Sequence, residues 1–210
     1  MMLSFAQLVL QPRECAEPMS AEPKILAFAG SLRQGSYNKK LMRIAAAAAR
    51  RAGADVTEID LGEYPLPVYD GDLEADAGLP ENARKLKALM KGHGGFLIAS
   101  PEYNSSISGT LKNVIDWTSR PEPDEPPLVC FRGKTAAIMS ASPGALGGLR
   151  GLVHLRAILG NIGVLVLPDQ KAISSAAEAF AENGSLKDPK QLQAIEQIGT
   201  RLAEVVTKLA

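Results

Sequence analysis

Gly95-Phe96-Leu97-Ile98-Ala99-Ser100-Pro101-Glu102-Tyr103-Asn104 is the stretch of this sequence that is most informative about its fold. Five apolar residues predict a buried strand, and the polar residues that follow predict a loop at its carboxyl end. Apolar residues at Ile107, Leu111 and Val114 then predict a helix. A polar loop that leaves a buried strand for a helix is where open α/β folds bind their ligands.

A second transition of this kind stands earlier, where the apolar segment 24–29 runs into Gly30-Ser31-Leu32-Arg33-Gln34-Gly35-Ser36-Tyr37-Asn38. The segment supplies short hydroxyl and amide donors and one permanent positive charge. A helix that begins near its end adds unpaired N–H groups and the positive end of its dipole. These groups suit a terminal monophosphate, so we predict a phosphate site here. Simple capping of the helix is the alternative for Ser36 and Asn38.

A third loop, Ser142-Pro143-Gly144-Ala145-Leu146-Gly147-Gly148, follows another apolar segment. Its glycines permit a close approach of the backbone to a ring. Because the carboxyl ends of parallel strands meet at one edge of a sheet, we expect the three loops to face one crevice and to bind one phosphate and one flat heterocycle. For Tyr103 and Asn104 the alternative is a turn followed by a helix cap.

Strand and helix patterns alternate along the rest of the chain, which is typical of a doubly wound parallel α/β sheet. Residues 119–133 contain four prolines, too many for a helix or a central strand, and are predicted to form a long arm. We predict strands at 24–29, 54–59, 95–99, 134–139 and 163–167, and helices at 38–51, 80–90, from about 107, at 148–159 and from 188 to the apolar stripe residue Leu209.

Composition limits the classes of function. The chain has 210 residues, 46% hydrophobic and 22% charged, which suits one domain with a sizeable core. Lys+Arg and Asp+Glu both number 23, so the net charge is zero and gives no reason to expect binding of nucleic acid or of an anionic membrane. No apolar run reaches the roughly 20 residues that span a bilayer. Cys15 and Cys130 fit neither a metal motif nor a disulfide scaffold, so we expect free thiols, no metal site and a cytoplasmic protein.

We interpret residues 1–23 as an N-terminal extension. Arg13 is the first basic residue and follows the apolar run 3–10, so the extension lacks the charged start of a secretory signal. Prolines interrupt the residues that follow, and Met19 stands five residues before the first strand. Met19 is therefore a candidate for the native start, with an ordinary N-terminal arm as the alternative.

Several familiar motifs fail on inspection. The spacing of Gly30 and Gly35 matches a P-loop, but Ser36-Tyr37 stand where Lys and Ser or Thr are needed. No G-x-G-x-x-G occurs, which argues against a fixed Rossmann dinucleotide site. Ser142 follows a strand as a nucleophile elbow does, but no acid lies between it and the only later histidine, His154, so the order of a hydrolase triad is not met.

The sequence resembles the NAD(P)H-dependent FMN reductases of flavodoxin-like fold, a family that includes bacterial quinone and chromate reductases. The resemblance covers about residues 24–170, and its motifs are together highly specific. Ser108-Gly109 departs from the Pro-Gly that usually opens this helix in the family, but serine can also cap a helix. The motifs are Gly30-Ser31-Leu32-Arg33 with Ser36 and Asn38, Pro101-Glu102-Tyr103-Asn104 with Leu111-Lys112-Asn113-Val114-Ile115-Asp116-Trp117, and Gly147-Gly148.

The resemblance implies that residues 24–210 are a flavodoxin-like FMN-binding domain with strand order 2-1-3-4-5. It implies NAD(P)H as co-substrate, a small-molecule electron acceptor, and a homodimer or homotetramer. It also implies three groups of cofactor-binding residues: Ser31, Arg33, Ser36 and Asn38 at the FMN phosphate, Pro101, Glu102, Tyr103 and Asn104 beside the isoalloxazine, and Ser142, Pro143, Gly144, Gly147 and Gly148 on its flank.

With FMN carrying the chemistry, no catalytic protein residue is required. We expect a hydride to pass from the nicotinamide to flavin N5, and electrons then to pass to a quinone-, chromate- or azo-type acceptor by a ping-pong mechanism on one open face. Glu102 is a candidate general acid, but we interpret it as a loop residue that faces solvent or a neighbouring subunit. His93 and His154 are interpreted as surface or packing residues, and Trp117 as a core or subunit-contact residue.

Two other classes of function stay open at this point. An FMN electron carrier would bind the same cofactor without using NAD(P)H directly, but such carriers are often strongly acidic, and this chain has no net charge. A non-enzymatic flavin-binding protein is the second alternative.

Overall fold

The computed structural model describes residues 22–209, and in that range strands and helices alternate along the chain. The strands are β1 (Lys24–Ala29), β2 (Asp55–Ile59), β3 (Gly95–Ala99), β4 (Glu102–Tyr103), β5 (Ser106–Ile107), β6 (Thr135–Ala141) and β7 (Leu165–Ile173). The α-helices are α1 (Tyr37–Arg51), α2 (Gly71–Ala77), α3 (Glu81–Gly92), α4 (Gly109–Thr118), α5 (Leu149–Asn161), α6 (Ala176–Ala179) and α7 (Pro189–Leu209), and a 3₁₀ helix covers Leu61–Glu63.

Five of these strands form one parallel sheet in the order β2-β1-β3-β6-β7. This confirms the predicted doubly wound sheet with order 2-1-3-4-5, because β4 and β5 pair only with each other as a short antiparallel hairpin. The order reverses between β1 and β3, and such a reversal opens a crevice at the carboxyl ends of the strands.

The core lies on both faces of the sheet because nearly every residue of the central strands is apolar. In β1, Ile25 and Ala27 face α1 and α7, whereas Leu26 and Phe28 face the layer that contains α3, α4 and α5. Helices α1 and α7 pack very closely, since a Cβ on Gly199 would overlap the carbonyl group of Ala45. The small residues of the alanine run in α1 make this approach possible.

Some predicted boundaries were wrong for identifiable reasons. Strand β7 continues past Pro168, because this edge strand needs no N–H donor there and Arg156 binds the carbonyls of Val166 and Leu167 at 3.1 and 2.8 Å. Helix α2 escaped prediction because none of its residues is buried, so it shows no apolar period. Leu209 is 63% exposed and does not belong to the buried stripe of α7.

Residues 1–21 of the predicted extension, with Met19 and Cys15, lie outside the described residues. Cys130 is a free thiol, and its burial raises its pKa to about 11. The arm 119–133 has neither helix nor strand, as predicted, and Lys87 Nζ donates hydrogen bonds to Glu125 and to the Arg120 carbonyl. Within residues 22–209, no helix is both long enough and apolar enough to cross a bilayer.

Candidate functional site

The loops that follow β1, β3 and β6 begin side by side, because these three strands are neighbours in the sheet. The Gly30 N–H donates to the Ala99 carbonyl at 2.9 Å, and the Ser100 N–H donates to the Met139 carbonyl at 2.8 Å. Loops 30–36, 100–108 and 142–148 therefore share one edge of the sheet. Their role in binding FMN stays a prediction at this point.

Loop 30–36 leads to the N-terminus of α1. Ser36 caps the helix, since its Oγ accepts a hydrogen bond from the Lys39 N–H at 3.4 Å. Ser31 is buried, and its Oγ lies 3.4 Å from the Arg33 N atom. The Arg33 side chain is exposed and forms no ion pair with any residue of 22–209. Because the first turn of α1 has no acidic residue, this helix end keeps its positive potential.

The same loop rests on the start of α4. Ser108 Oγ accepts from the Leu111 N–H at 3.1 Å and donates to the Gly30 carbonyl at 2.6 Å. The predicted capping role of this serine is confirmed. Gly30 leaves little room for a side chain, because a Cβ would lie 3.0 Å from the Cβ of Leu111 and 3.3 Å from Ser108 Oγ.

The surroundings of the Asn38 side chain differ from those expected of a residue that binds a phosphate. It is buried, its Nδ2 donates to the Ala141 carbonyl at 2.9 Å, and its Oδ1 accepts from the Ala141 N–H at 3.0 Å. The side chain therefore joins α1 to the end of β6. One amide hydrogen is all that it can still offer to a phosphate.

Residues 101–107 form a hairpin that the sequence did not reveal, since each of its strands has only two residues. Asn104 and Ser105 make the turn with φ values of 50° and 66°, which suit a two-residue hairpin loop. Pro101 is buried, and Tyr103 at the end of β4 is half-exposed. The hairpin thus presents an aromatic side chain at the edge of the sheet.

Glu102 faces neither solvent nor an open subunit surface, so our interpretation of its orientation was wrong. Its side chain is 8% exposed, and its carboxylate accepts hydrogen bonds from the Gly151 N–H at 2.9 Å and from Arg150 Nη2 at 2.7 Å. Burial raises the pKa of this carboxyl, but the bond from Gly151 and the bond and charge of Arg150 outweigh burial, and the pKa lies below its usual value. An ionised carboxylate of this kind is unsuited to donate a proton.

Loop 142–148 combines an exposed rim with a tightly packed end. Pro143 and Gly144 are exposed, and the Gly144 N–H donates to Ser142 Oγ at 3.2 Å. Gly147 and Gly148 have φ values of 62° and 95°. A Cβ on Gly147 would lie 2.7 Å from the backbone of residue 173, and one on Gly148 would overlap a serine hydroxyl beneath it. The protein's own packing therefore requires both glycines, whatever they contact in a ligand.

The segment 61–69, which follows β2, adds a further wall at this edge of the sheet. It forms one wall of a groove of about 180 Å³ that starts at Leu32 and shares Thr110 and Asn113 with a neighbouring cleft of about 430 Å³. Four apolar side chains stand exposed or half-exposed around this edge, one from each loop: Leu32, Val68, Tyr103 and Leu146. A run such as Tyr64-Pro65-Leu66-Pro67-Val68-Tyr69 carries no local signal that a helix far along the chain will bind it.

Asn113 and Trp117 hold this wall in place. Both donate to the Pro67 carbonyl at 2.8 Å, and Asn113 Oδ1 accepts from the Tyr69 N–H at 2.9 Å. Trp117 is fully buried, which confirms its assignment to the core. Val68, between the two bonded residues, is 84% exposed. His93 is buried and bonded at both ring nitrogens, whereas His154 is exposed and lies 2.9 Å from Ser106 Oγ, so both fit the interpretation as packing or surface residues.

A five-stranded parallel sheet in this order, with three loops gathered at the carboxyl ends of its central strands, defines a flavodoxin-like α/β protein. The family model described as NADPH-dependent FMN reductase matches residues 23–178. The chain belongs to this family, so it is an oxidoreductase that uses FMN and NAD(P)H.

Similar proteins agree with this assignment. An NAD(P)H-dependent FMN reductase of Pseudomonas aeruginosa is 39% identical over 180 residues, which are 85% of this chain and 92% of that protein. A quinone reductase of Escherichia coli is 36% identical over 149 residues, 71% of this chain and 76% of that protein. Among solved structures, the flavoenzyme NAD(P)H:(acceptor) oxidoreductase FerB from Paracoccus denitrificans superposes with a TM-score of 0.75 at 31% identity, over 89% of this chain and 98% of that one.

Proposed function

We propose that this enzyme carries reducing equivalents from NAD(P)H to a quinone-type acceptor, in a ping-pong cycle on an FMN that the three loops hold. The observation that carries the proposal is the meeting of these loops at the reversal of strand order, beside a helix whose first turn has no acid and where Arg33 forms no ion pair with residues 22–209. An anionic group is favoured at such a helix end.

The residues present fit the parts of FMN. The exposed guanidinium of Arg33 and the hydroxyls of Ser31 and Ser36 would hold the phosphate at the start of α1. Residues 101–104 and the exposed rim of loop 142–148 would border the ring system. When bound, FMN supplies the hydride acceptor at N5 and can pass electrons on singly or in pairs.

One open site for both substrates explains the ping-pong order. The chain has no G-x-G-x-x-G motif for a separate dinucleotide site, and its apolar groove adjoins loop 30–36 at Leu32. The nicotinamide would enter this open side, leave after hydride transfer, and give its place to the acceptor. The protein's residues then act by binding and orienting the two substrates, with no proton donor assigned to Glu102.

A quinone-type acceptor fits the surroundings better than chromate or an azo compound does. Apolar side chains are exposed on loops 30–36, 100–108 and 142–148 and on the segment 61–69, namely Leu32, Tyr103, Leu146 and Val68, and apolar surroundings favour a flat apolar ring. Chromate is a dianion and would compete for Arg33, the one cation that we assign to the phosphate. Two relatives, named as a probable NADPH:quinone oxidoreductase and a quinone reductase, favour the same class of acceptor.

We further propose that the enzyme is a homodimer or homotetramer. Trp117 is buried and contributes no exposed surface, but Val68, Leu149 and Val153 are exposed apolar side chains. Covering this surface with a second copy would remove it from water. Light scattering that shows a monomer at micromolar concentration with full activity would contradict this part of the proposal.

The full-length protein provides the decisive experiment. It should purify with FMN, and anaerobic NADPH or NADH should bleach the flavin absorbance rapidly. Steady-state rates at varied NADPH and quinone should then give parallel double-reciprocal lines, with benzoquinones reduced faster than chromate or an azo dye. Colourless protein that fails to quench FMN fluorescence would overturn the cofactor assignment, and intersecting lines would overturn the ping-pong order.

A further inference from the structure

The hairpin β4–β5 stands directly on the first turn of α5. Gly151 makes the contact possible, because a Cβ there would lie 3.2 Å from the Ser106 carbonyl oxygen and 3.4 Å from the Cβ of Glu102. Gly151 thus lets the hairpin pack closely on the helix that follows loop 142–148.

Helix α5 has no capping side chain of its own, because its N-cap residue is Gly148. Glu102 supplies the missing acceptor from a distant loop, with Oε2 at 2.9 Å from the N atom of Gly151, the third residue of the helix. A carboxylate at a helix N-terminus is also favoured by the helix dipole. Arg150 closes the outer side of the carboxylate through Nε and Nη2, at 3.0 and 2.7 Å from Oε1.

This bond ties loop 100–108 to the first turn of α5, the helix that directly follows loop 142–148. The hairpin has only two residues in each strand, and both residues of its turn have positive φ values. A hairpin of this size is not stable alone. The positions of Tyr103 and Asn104 therefore depend on what the hairpin contacts. Among the described residues, two side chains connect the hairpin to α5 by hydrogen bonds: the Glu102 carboxylate, with Gly151 and Arg150, and His154 Nδ1, which lies 2.9 Å from Ser106 Oγ. Of the two, the Glu102 carboxylate forms an ion pair.

We propose that Glu102 is a positioning residue that sets the distance between loops 100–108 and 142–148, and so the width of the space that the flavin ring occupies. It does so as an ionised helix cap and not as a proton donor. The inference rests on the proposed function, because it concerns the same FMN site. It adds a role for the acidic residue of the Pro-Glu-Tyr-Asn segment that the reaction itself does not require.

The test compares three variants of the full-length protein by FMN dissociation constant, visible circular dichroism of bound flavin, and thermal midpoint. Glu102→Ala removes the tie, and we expect FMN to bind roughly tenfold or more weakly, with an altered flavin dichroism spectrum. Glu102→Gln keeps an oxygen for the Gly151 N–H and should restore most of the affinity and the spectrum. Glu196→Ala removes a different ion pair, between α7 and Arg51 of α1, and should leave both flavin readouts at wild-type values.

The outcomes distinguish a positioning role from a role in stability alone and from a role as a proton donor. Unchanged FMN affinity and dichroism in Glu102→Ala would overturn the proposal, even if the thermal midpoint fell. If Glu102→Gln binds FMN as wild type does but loses one limb of the pH profile of kcat with a quinone, Glu102 is a proton donor and the proposal is wrong. Should Glu102→Ala fail to fold, Gly151→Ala tests the same distance, because its added methyl pushes the hairpin away while the carboxylate stays. Failure of wild-type protein to bind FMN would instead overturn the proposed function.

Discussion

Asn38 and Ala141 exchange two hydrogen bonds, of 2.9 and 3.0 Å, although 103 residues separate them in the sequence. The pair connects the N-terminus of α1 to the last residue of β6. It therefore fixes loop 30–36 and loop 142–148 relative to each other. A buried amide that satisfies both a carbonyl and an N–H group is a costly group to remove, since both partners would lose their bonds away from water.

We expect Asn38→Ala to lower the free energy of unfolding by about 2–4 kcal/mol, because it leaves the N–H and the carbonyl of Ala141 unsatisfied. Asn38→Asp keeps the acceptor for the N–H but loses the donor to the carbonyl. Its free energy of unfolding should therefore fall by at least the contribution of one hydrogen bond. Urea unfolding of the FMN-free protein measures both. An unchanged midpoint in Asn38→Ala would show that water replaces the amide at no cost.

Arg33 should contribute to cofactor binding and not to folding. Its guanidinium is exposed and unpaired within residues 22–209, so Arg33→Ala should leave the stability of FMN-free protein unchanged. Loss of a charge-assisted bond to a phosphate should cost about 1.5–3 kcal/mol of binding energy, or roughly ten- to a hundred-fold in FMN affinity.

Fluorescence titration with FMN and with riboflavin gives a sharp control for this prediction. Riboflavin lacks the phosphate, so wild type and Arg33→Ala should bind it equally well. Arg43→Ala, an exposed arginine on α1 itself, should leave FMN affinity unchanged. Equal FMN affinity in wild type and Arg33→Ala would place the phosphate elsewhere.

Elements that a local pattern of apolar residues marks could be predicted from this sequence, whereas tertiary contacts could not. Strand β3 is apolar at every position, so its bounds were predicted correctly. Helix α2 buries none of its residues, and no period marks it. At the site, the loops could be located because each follows an apolar strand. That Asn38 binds Ala141 and Glu102 binds Gly151 depends on pairs 103 and 49 residues apart, which no local pattern specifies.

The ion pair beneath the arm 119–133 should make stability depend on pH in the acid range. Hydrogen bonds and charge from Lys87 and from Lys91 lower the pKa of Glu125 to about 2, from an ordinary 4.5. The unfolded chain therefore binds this proton more readily than the folded protein does. The stability that the carboxylate contributes is present above pH 4.5 and is lost as the pH falls toward 2.

Glu125→Gln should consequently reduce the free energy of unfolding at pH 7 by about 1.5–3 kcal/mol, since the buried Lys87 loses a charged partner. The difference from wild type should shrink as the pH drops below 4.5. Denaturant unfolding at pH 7, 5, 4 and 3.5 checks both statements. Glu81→Gln, which loses an exposed pair with Lys85, should show a much weaker pH dependence, because solvent screens that pair. A constant difference at all four pH values would contradict the assigned pKa.

The two hydrogen bonds between Asn113 and the segment 67–69 should control acceptor binding. Asn113→Ala removes two of the three side-chain hydrogen bonds from α4 to this segment, those to the Pro67 carbonyl and from the Tyr69 N–H. The exposed Val68 between them should then lose its fixed position beside the groove. Because residues 67–69 are not among those assigned to FMN, FMN affinity should stay near the wild-type value.

We therefore expect Asn113→Ala to raise the KM for a benzoquinone several-fold, while the dissociation constant of FMN and the rate of anaerobic flavin reduction change little. Trp117→Phe is the matched variant, because it keeps a buried ring but loses the single bond to Pro67, worth about 0.5–1.5 kcal/mol. Its KM should lie between those of wild type and Asn113→Ala. If Asn113→Ala weakens FMN instead and leaves the quinone KM unchanged, the segment supports the cofactor and does not line the acceptor site.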